Sequence, residues 1–250
     1  MRYWGEDAVC RFTGVASVGG AVTVGQSLSS RRAAQMCWPR NLHRPPHRNL
    51  LGCAPMPTST LPAQPDQPIA LSAALKAHTR TAHDRLDQHL LQQHIFASRQ
   101  RYLCFLRVQW HFHSAVAPLY RMQDPGATRL PLIEEDLRDL GATMPVPHAW
   151  QPQPQVFSKA TVLGWRYVAE GSTLGAAVLL KMAAALQLHA GYGARHLRPS
   201  ELGVAEYWRR EQEELDALIL SAEERAQACM GATDAFQFVR RCVDEEFRFE

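Results

Sequence analysis

Residues 158–188 read SKATVLGWRYVAEGSTLGAAVLLKMAAALQL. Val162, Leu163, Trp165, Val168, Leu174, Val178 and Leu179 supply apolar positions along the whole stretch, and no proline interrupts it. The pattern predicts one long helix from about Ser158 to Leu188. Its weak point is the middle, where Gly171-Ser172-Thr173-Leu174-Gly175 places two glycines four residues apart. Each interior glycine costs a helix about 1 kcal/mol relative to alanine. Spaced by four they share one face and invite a kink. Two readings follow. The bare face packs closely on another helix, or a flat ligand lies against it with the Ser172 hydroxyl beside it.

The flanking sequence is also helical. Leu71, Leu75, His78, Ala82, Leu86 and Leu90 recur at spacings of three and four, and a break follows at Phe96-Ala97-Ser98. Tyr102, Phe105, Leu106, Trp110 and Val116 mark a second helix ending near Asp124-Pro125-Gly126. Pro131 to Leu140 reads as a short acidic helix stopped by Gly141, a residue suited to a left-handed cap. Prolines 145, 147, 152 and 154 punctuate a long loop. Beyond residue 188, Gly191-Tyr192-Gly193 closes the long helix, and Glu201 to Leu220 forms another. Ser221 and Glu224 have capping-box spacing. A last helix is expected from about Thr233 towards Phe249. No alternating run suggests a strand. The expected class is all-α, a single helical domain over residues 66–250.

Residues 1–65 differ. They show no sustained period and carry seven arginines against Glu6 and Asp7, so they hold more than the whole +3 net charge. They read as a disordered N-terminal extension, and Met56 is an alternative start. The body is close to neutral, which excludes a broad nucleic-acid footprint. With 46% hydrophobic and 20% charged residues, and 15 Gly and 16 Pro scattered without period, the chain is not collagen, a coiled-coil rod or wholly disordered. No apolar run of spanning length lacks a charge or a break, so no membrane span is expected. The six cysteines form no CxxC pair and read as the ordinary thiols of a reducing, cytoplasmic protein.

Eleven histidines are the candidate ligands. His111 and His113 are two apart on a helix and face apart. His78, His83, His89 and His94 spread over different faces. No paired ExxH or HExxH motif is present, so a di-iron carboxylate bundle lacks its ligands. One imidazole can still hold a haem iron if it borders an apolar stripe. At 100° per residue, His83 and His78 both border the stripe, on opposite sides, and periodicity does not choose between them. Asp87, four residues after His83, is placed to accept its outer N–H. Trp110, Trp165 and Trp208 read as core, His189 and His196 as surface or loop, and Lys181 is compatible with an exposed helix charge.

The stretches Thr81-Ala82-His83-Asp84-Arg85-Leu86-Asp87, Gly164 to Ala177, Leu180-Lys181 and Gly193-Ala194-Arg195-His196-Leu197, in this order and at these gaps, resemble the bacterial haem oxygenases that produce biliverdin. The resemblance covers roughly residues 70–248. It implies a helical bundle holding haem between a proximal and a distal helix, with His83 as the proximal iron ligand. It makes Gly171, Ser172 and Gly175 the bent, catalytic part of the distal helix. It makes Tyr167 and Lys181 contacts of the haem or its propionates. Arg80 and Arg85 are further basic candidates by position. The implied reaction uses haem as substrate and cofactor, with dioxygen, and yields biliverdin, iron and carbon monoxide. Electrons come from an external reductase or ferredoxin-like donor, because no flavin or nicotinamide fingerprint appears. A bacterial phytochrome is an implied recipient of the product, and iron acquisition an alternative purpose. One departure stands out: a lysine that some relatives carry soon after the proximal histidine is replaced by the Leu90-Leu91 region, which bears on how haem seats. The rivals are a haem carrier of the same fold without turnover, and a helical domain using another metal or organic substrate.

Overall fold

The computed structural model describes residues 69–121, 128–153 and 156–248. The expectations for residues 1–65 and for the turn at Asp124-Pro125-Gly126 lie outside them. Seven α-helices are described: α1 (Leu71–Gln92), α2 (Arg99–Arg121), α3 (Leu130–Asp139), α4 (Lys159–Gly171), α5 (Ala176–Ala183), α6 (Val204–Asp216) and α7 (Ala222–Glu246). Short 3₁₀ turns occupy Ser172–Gly175, Ala184–Leu186 and Arg195–Leu197. Among the described residues there is no strand, only isolated bridges from His189 to Tyr192 and Gly193.

Helix α7 organises the bundle. It runs along α4 most extensively and also packs on α1 and α2. Two glycines permit the α4–α7 contact. A Cβ on Gly164 would collide with the Ala228 carbonyl, and one on Gly231 with the Thr161 carbonyl. Close helix packing is therefore the work of Gly164 and Gly231, and not of the Gly171/Gly175 pair. The core fills with Leu71 and Leu75 of α1, Tyr102, Phe105 and Leu106 of α2, Trp165 of α4 and the α7 residues Phe236, Val239 and Val243. Trp110, Trp165 and Trp208 are buried, as their type suggests.

Several boundaries differ from the sequence reading. The last helix begins at Ala222 rather than near Thr233, because Ser221 and Glu224 close a complete capping box and the helix continues through Gly231. The helix expected over 201–220 is trimmed to Val204–Asp216, and Gly203 enters it at φ +82°. The helix expected over 158–188 is broken at 172–175 and ends before Gln187, which sits left-handed at φ +60°. By length and hydropathy, Lys159–Leu186 does suffice to cross a membrane, contrary to expectation, but its first half is packed against α7. Asp216, at the end of α6, accepts the backbone N–H and the hydroxyl of Ser72, both at 2.8 Å, and so caps α1 from a distant part of the chain.

The proline-rich loop is fixed by a stack of rings. The Arg241 guanidinium lies 3.9 Å from the Trp150 ring centroid, Trp150 stacks on His148 at 4.5 Å, and His148 stacks on His111 at 4.0 Å. His111 in turn bonds Glu246, 3.0 Å away. His111, His148 and Glu246 bring possible ligand atoms within 4.8 Å. The two imidazoles, however, lie face to face, so their lone pairs run parallel and do not converge on one ion.

Candidate active site

The break in the distal segment has a local cause. The Ser172 hydroxyl donates to the Ala169 carbonyl at 2.6 Å, and the Thr173 hydroxyl donates to the Glu170 carbonyl at 2.7 Å. Such back-bonding competes with the helical ladder and bends it. Gly171 and Gly175 flank the bend. A Cβ on Gly175 would meet nothing within 4 Å, and one on Gly171 would only touch the Trp208 ring at 3.5 Å.

Both glycines line an apolar cleft. His83, Leu86 and Leu90 of α1 line one side, residues 171–176 another, and Phe236 and Val239 of α7 also border it. The His83 Nδ1 is 3.2 Å from an Asp87 carboxylate oxygen. A carboxylate beside Nδ1 favours the tautomer that carries its proton there. The His83 ring meets Phe236 edge-on at 5.8 Å. His78 is exposed and absent from the cleft wall, so the geometry separates two residues that periodicity left equivalent.

Of the other expected site residues, Tyr167 and Ser172 join Gly171 and Gly175 on the wall. Tyr167 is buried, with its ring 5.4 Å from Trp208, and burial pushes its phenol well above the usual range. Arg80, Arg85 and Lys181 are exposed and stand outside the wall.

The structure adds residues that sequence reasoning missed. Gln109 and His113 of α2, Arg129 and His196 also border the cleft. The sequence places His196 at the surface or in a loop, and the structure buries it. It is 3% exposed, and its Nδ1 lies 2.8 Å from Asp136. Burial lowers its pKa, opposed by Asp136. His113 is fully enclosed. Burial, with the charges of Arg129 and His196, lowers its pKa to about 3, so the ring is neutral. Nothing periodic links position 136 to 196, so only the fold could have paired them.

Behind the distal segment lies a polar cavity that shares His113 and Arg129 with the cleft. There Glu170 accepts hydrogen bonds from the phenols of Tyr120 and, at 2.6 Å, Tyr207. Burial and the Glu170 charge push the neighbouring Glu211 carboxyl up to about 7, against the pull of Arg166.

A largely apolar slot with His83 on one wall and bare backbone at Gly171 and Gly175 on another defines a class of helical protein that takes a flat ligand between two helices. Comparison with known proteins narrows this class. Residues 69–245 match the family model described as heme oxygenase, and the chain belongs to that family. It is 40% identical over 174 residues to heme oxygenase PigA of Pseudomonas aeruginosa, covering 66% of this chain and 87% of that protein. It is 35% identical over 120 residues to a heme oxygenase of Xanthomonas campestris pv. campestris, covering 48% of this chain and 70% of that protein. Among solved structures, the Neisseria meningitidis heme oxygenase with NO and CO bound superposes with a TM-score of 0.66 at 34% identity, over 73% of this chain and 94% of its own. The Leptospira interrogans heme oxygenase, at 17% identity and a TM-score of 0.57, shares the fold.

Proposed function

We propose that this chain is a haem oxygenase that cleaves haem to biliverdin and releases iron and carbon monoxide. One observation carries the reading: the cleft bordered by His83, with Asp87 beside its ring, is also bordered by Gly175, where a Cβ would meet nothing within 4 Å. A flat apolar macrocycle suits a lining of this kind.

Haem, when bound, supplies the iron at which dioxygen is activated and is itself the molecule oxidised. The chain's residues do the rest. With Asp87 beside its Nδ1, His83 would hold the iron through Nε2. Gly171 and Gly175 let the backbone close on the ring, while Ser172 spends its hydroxyl on the Ala169 carbonyl and so steadies the bend. Leu86, Leu90, Phe236 and Val239 exclude bulk water from the slot. Around it, Tyr167 is a neutral phenol and His113 a neutral imidazole, so neither offers a strong acid. Arg80, Arg85 and Lys181, exposed outside the wall, are suited to meet the propionates at the rim. Electrons come from a separate reductase or ferredoxin-like protein. The product serves iron supply or a biliverdin-using photoreceptor in the cytoplasm.

Haem titration followed by turnover with ascorbate in air tests this. The expected result is decay of the Soret band with biliverdin recovered by chromatography. A Soret band that persists would leave a carrier, and failure to bind haem would remove both readings.

A further inference from the structure

Glu170 stands one residue before Gly171, at the end of α4, and borders the polar cavity rather than the apolar slot. It is 6% exposed. A carboxylate is rarely buried so far unless it is paired or hydrogen-bonded. Here one oxygen accepts from the Tyr120 phenol of α2, and the other, at 2.6 Å, from the Tyr207 phenol of α6. Burial first, and then the Glu170 charge, push both phenols far above their ordinary range, so each keeps its proton and donates it. Arg166 of α4 joins the group, its guanidinium 5.4 Å from the Tyr120 ring centroid. Gly171, the next residue, faces Trp208, the neighbour of Tyr207, and a Cβ there would touch that ring at 3.5 Å. Helix α6 thus holds two consecutive residues at the point where the distal segment bends. The hydroxyls of Ser172 and Thr173, by contrast, bond back into the segment itself.

A buried carboxylate is a poor source of stability, since apolar residues of the same volume often do as well. What it adds is direction: two charge-assisted bonds, from helices distant in sequence, fix one point of the backbone. We propose that Glu170, pinned by Tyr120 and Tyr207, is a positioning residue for haem oxidation: it fixes where the Gly171–Gly175 backbone stands and so how much room remains beside a bound haem. Gly164 and Gly231 fix the straight part of α4 against α7, and the Glu170 clasp fixes the bend that follows. The inference rests on the haem oxygenase reading, and it gives the buried carboxylate a purpose that packing alone does not require.

Five proteins test it: wild type, Tyr120→Phe, Tyr207→Phe, the double variant, and Ser221→Ala as a variant destabilised away from the site. Without haem, hydrogen exchange at the backbone amides of residues 171–176 is followed by mass spectrometry. With ferrous haem bound, the affinities of methyl isocyanide and tert-butyl isocyanide are compared, because the bulkier probe senses the room beside the ring. Each single variant should speed exchange in the bend about tenfold, the scale of one hydrogen bond to a charged group, and weaken the preference for the smaller isocyanide by roughly threefold. The double variant should do both more strongly, and Ser221→Ala should leave the isocyanide preference as in wild type. Wild-type exchange of the bend in both single variants, or a wild-type isocyanide preference in the double variant, would overturn the proposal. So would an equal change of preference in Ser221→Ala, since lost stability alone would then explain it. If wild type fails to bind haem, or binds it without consuming it under ascorbate, the functional reading fails, while amide exchange still shows whether Glu170 pins the bend.

Discussion

Replacing either of two glycines in the same continuous stretch should have opposite consequences. Gly175 has φ −81°, a helical value open to any residue, and its missing Cβ points into unoccupied space. Gly175→Ala therefore removes a helix-weakening residue without a clash and gains up to about 1 kcal/mol. For a domain of this size that raises the melting temperature of the haem-free protein by roughly 2–4 °C. Gly175→Leu leaves the fold intact but intrudes into the slot. Overpacking of that kind costs about 1–3 kcal/mol, which lowers haem affinity roughly tenfold or more. Gly164 is the opposite case. Its Cβ would meet the Ala228 carbonyl and the Ala232 backbone nitrogen, groups that move only if a whole helix moves. Gly164→Ala should cost about 1–3 kcal/mol and lower the melting temperature by roughly 3–10 °C. Thermal melts by circular dichroism and haem titrations, run on all three variants, give both numbers. If Gly175→Leu melts like Gly164→Ala, or binds haem as tightly as wild type, the glycine does not face a ligand and the reasoning fails.

Three further outcomes are expected. His83→Ala should lose the histidine-ligated haem spectrum while His78→Ala keeps it, and the reverse would move the ligand to the exposed residue. Glu211, whose carboxyl is pushed up to about 7 by burial and Glu170, holds its proton in the folded state at pH values where the unfolded chain has released it. Stability from this group is thus present at low pH and declines as pH rises towards 7. Glu211→Gln should consequently raise the melting temperature more at pH 8 than at pH 5, and a uniform change would contradict the assignment. Ser221→Ala removes the reciprocal cap with Glu224 and should cost about 1 kcal/mol, seen as a drop of roughly 2–4 °C.

The helices were readable because their causes are local. Leu71, Leu75 and Leu86 announce one buried face, and Ser221 with Glu224 announces a start. The helix starts at Ala222, directly after that capping box, and Gly231 inside it is a contact point whose partner, Thr161, is seventy positions earlier. The same limit governs the site. His83 and the Gly171–Gly175 bend were legible from spacing and from the cost of interior glycines. Spacing leaves His83 and His78 equivalent, the family resemblance points to His83, and of the two only His83 borders the cleft. Asp136, His196 and His113 were not legible, because His196 sits in a short turn without a period and its partner lies on another helix. Conversely, Arg80 and Arg85 are suggested by charge and position alone and Lys181 by the family resemblance, and none of these reveals whether a long side chain points inwards.

Helix α7 touches α1, which carries the imidazole, and α4, which leads into the bent segment. It therefore acts as a spacer, and the width of the slot is set at its back, where Gly164 and Gly231 let the backbones meet. Fitting a thicker macrocycle would mean re-tooling that hinge-like seam, well away from any atom the guest touches. Substitutions there should tune what the protein admits without altering a single residue of the lining.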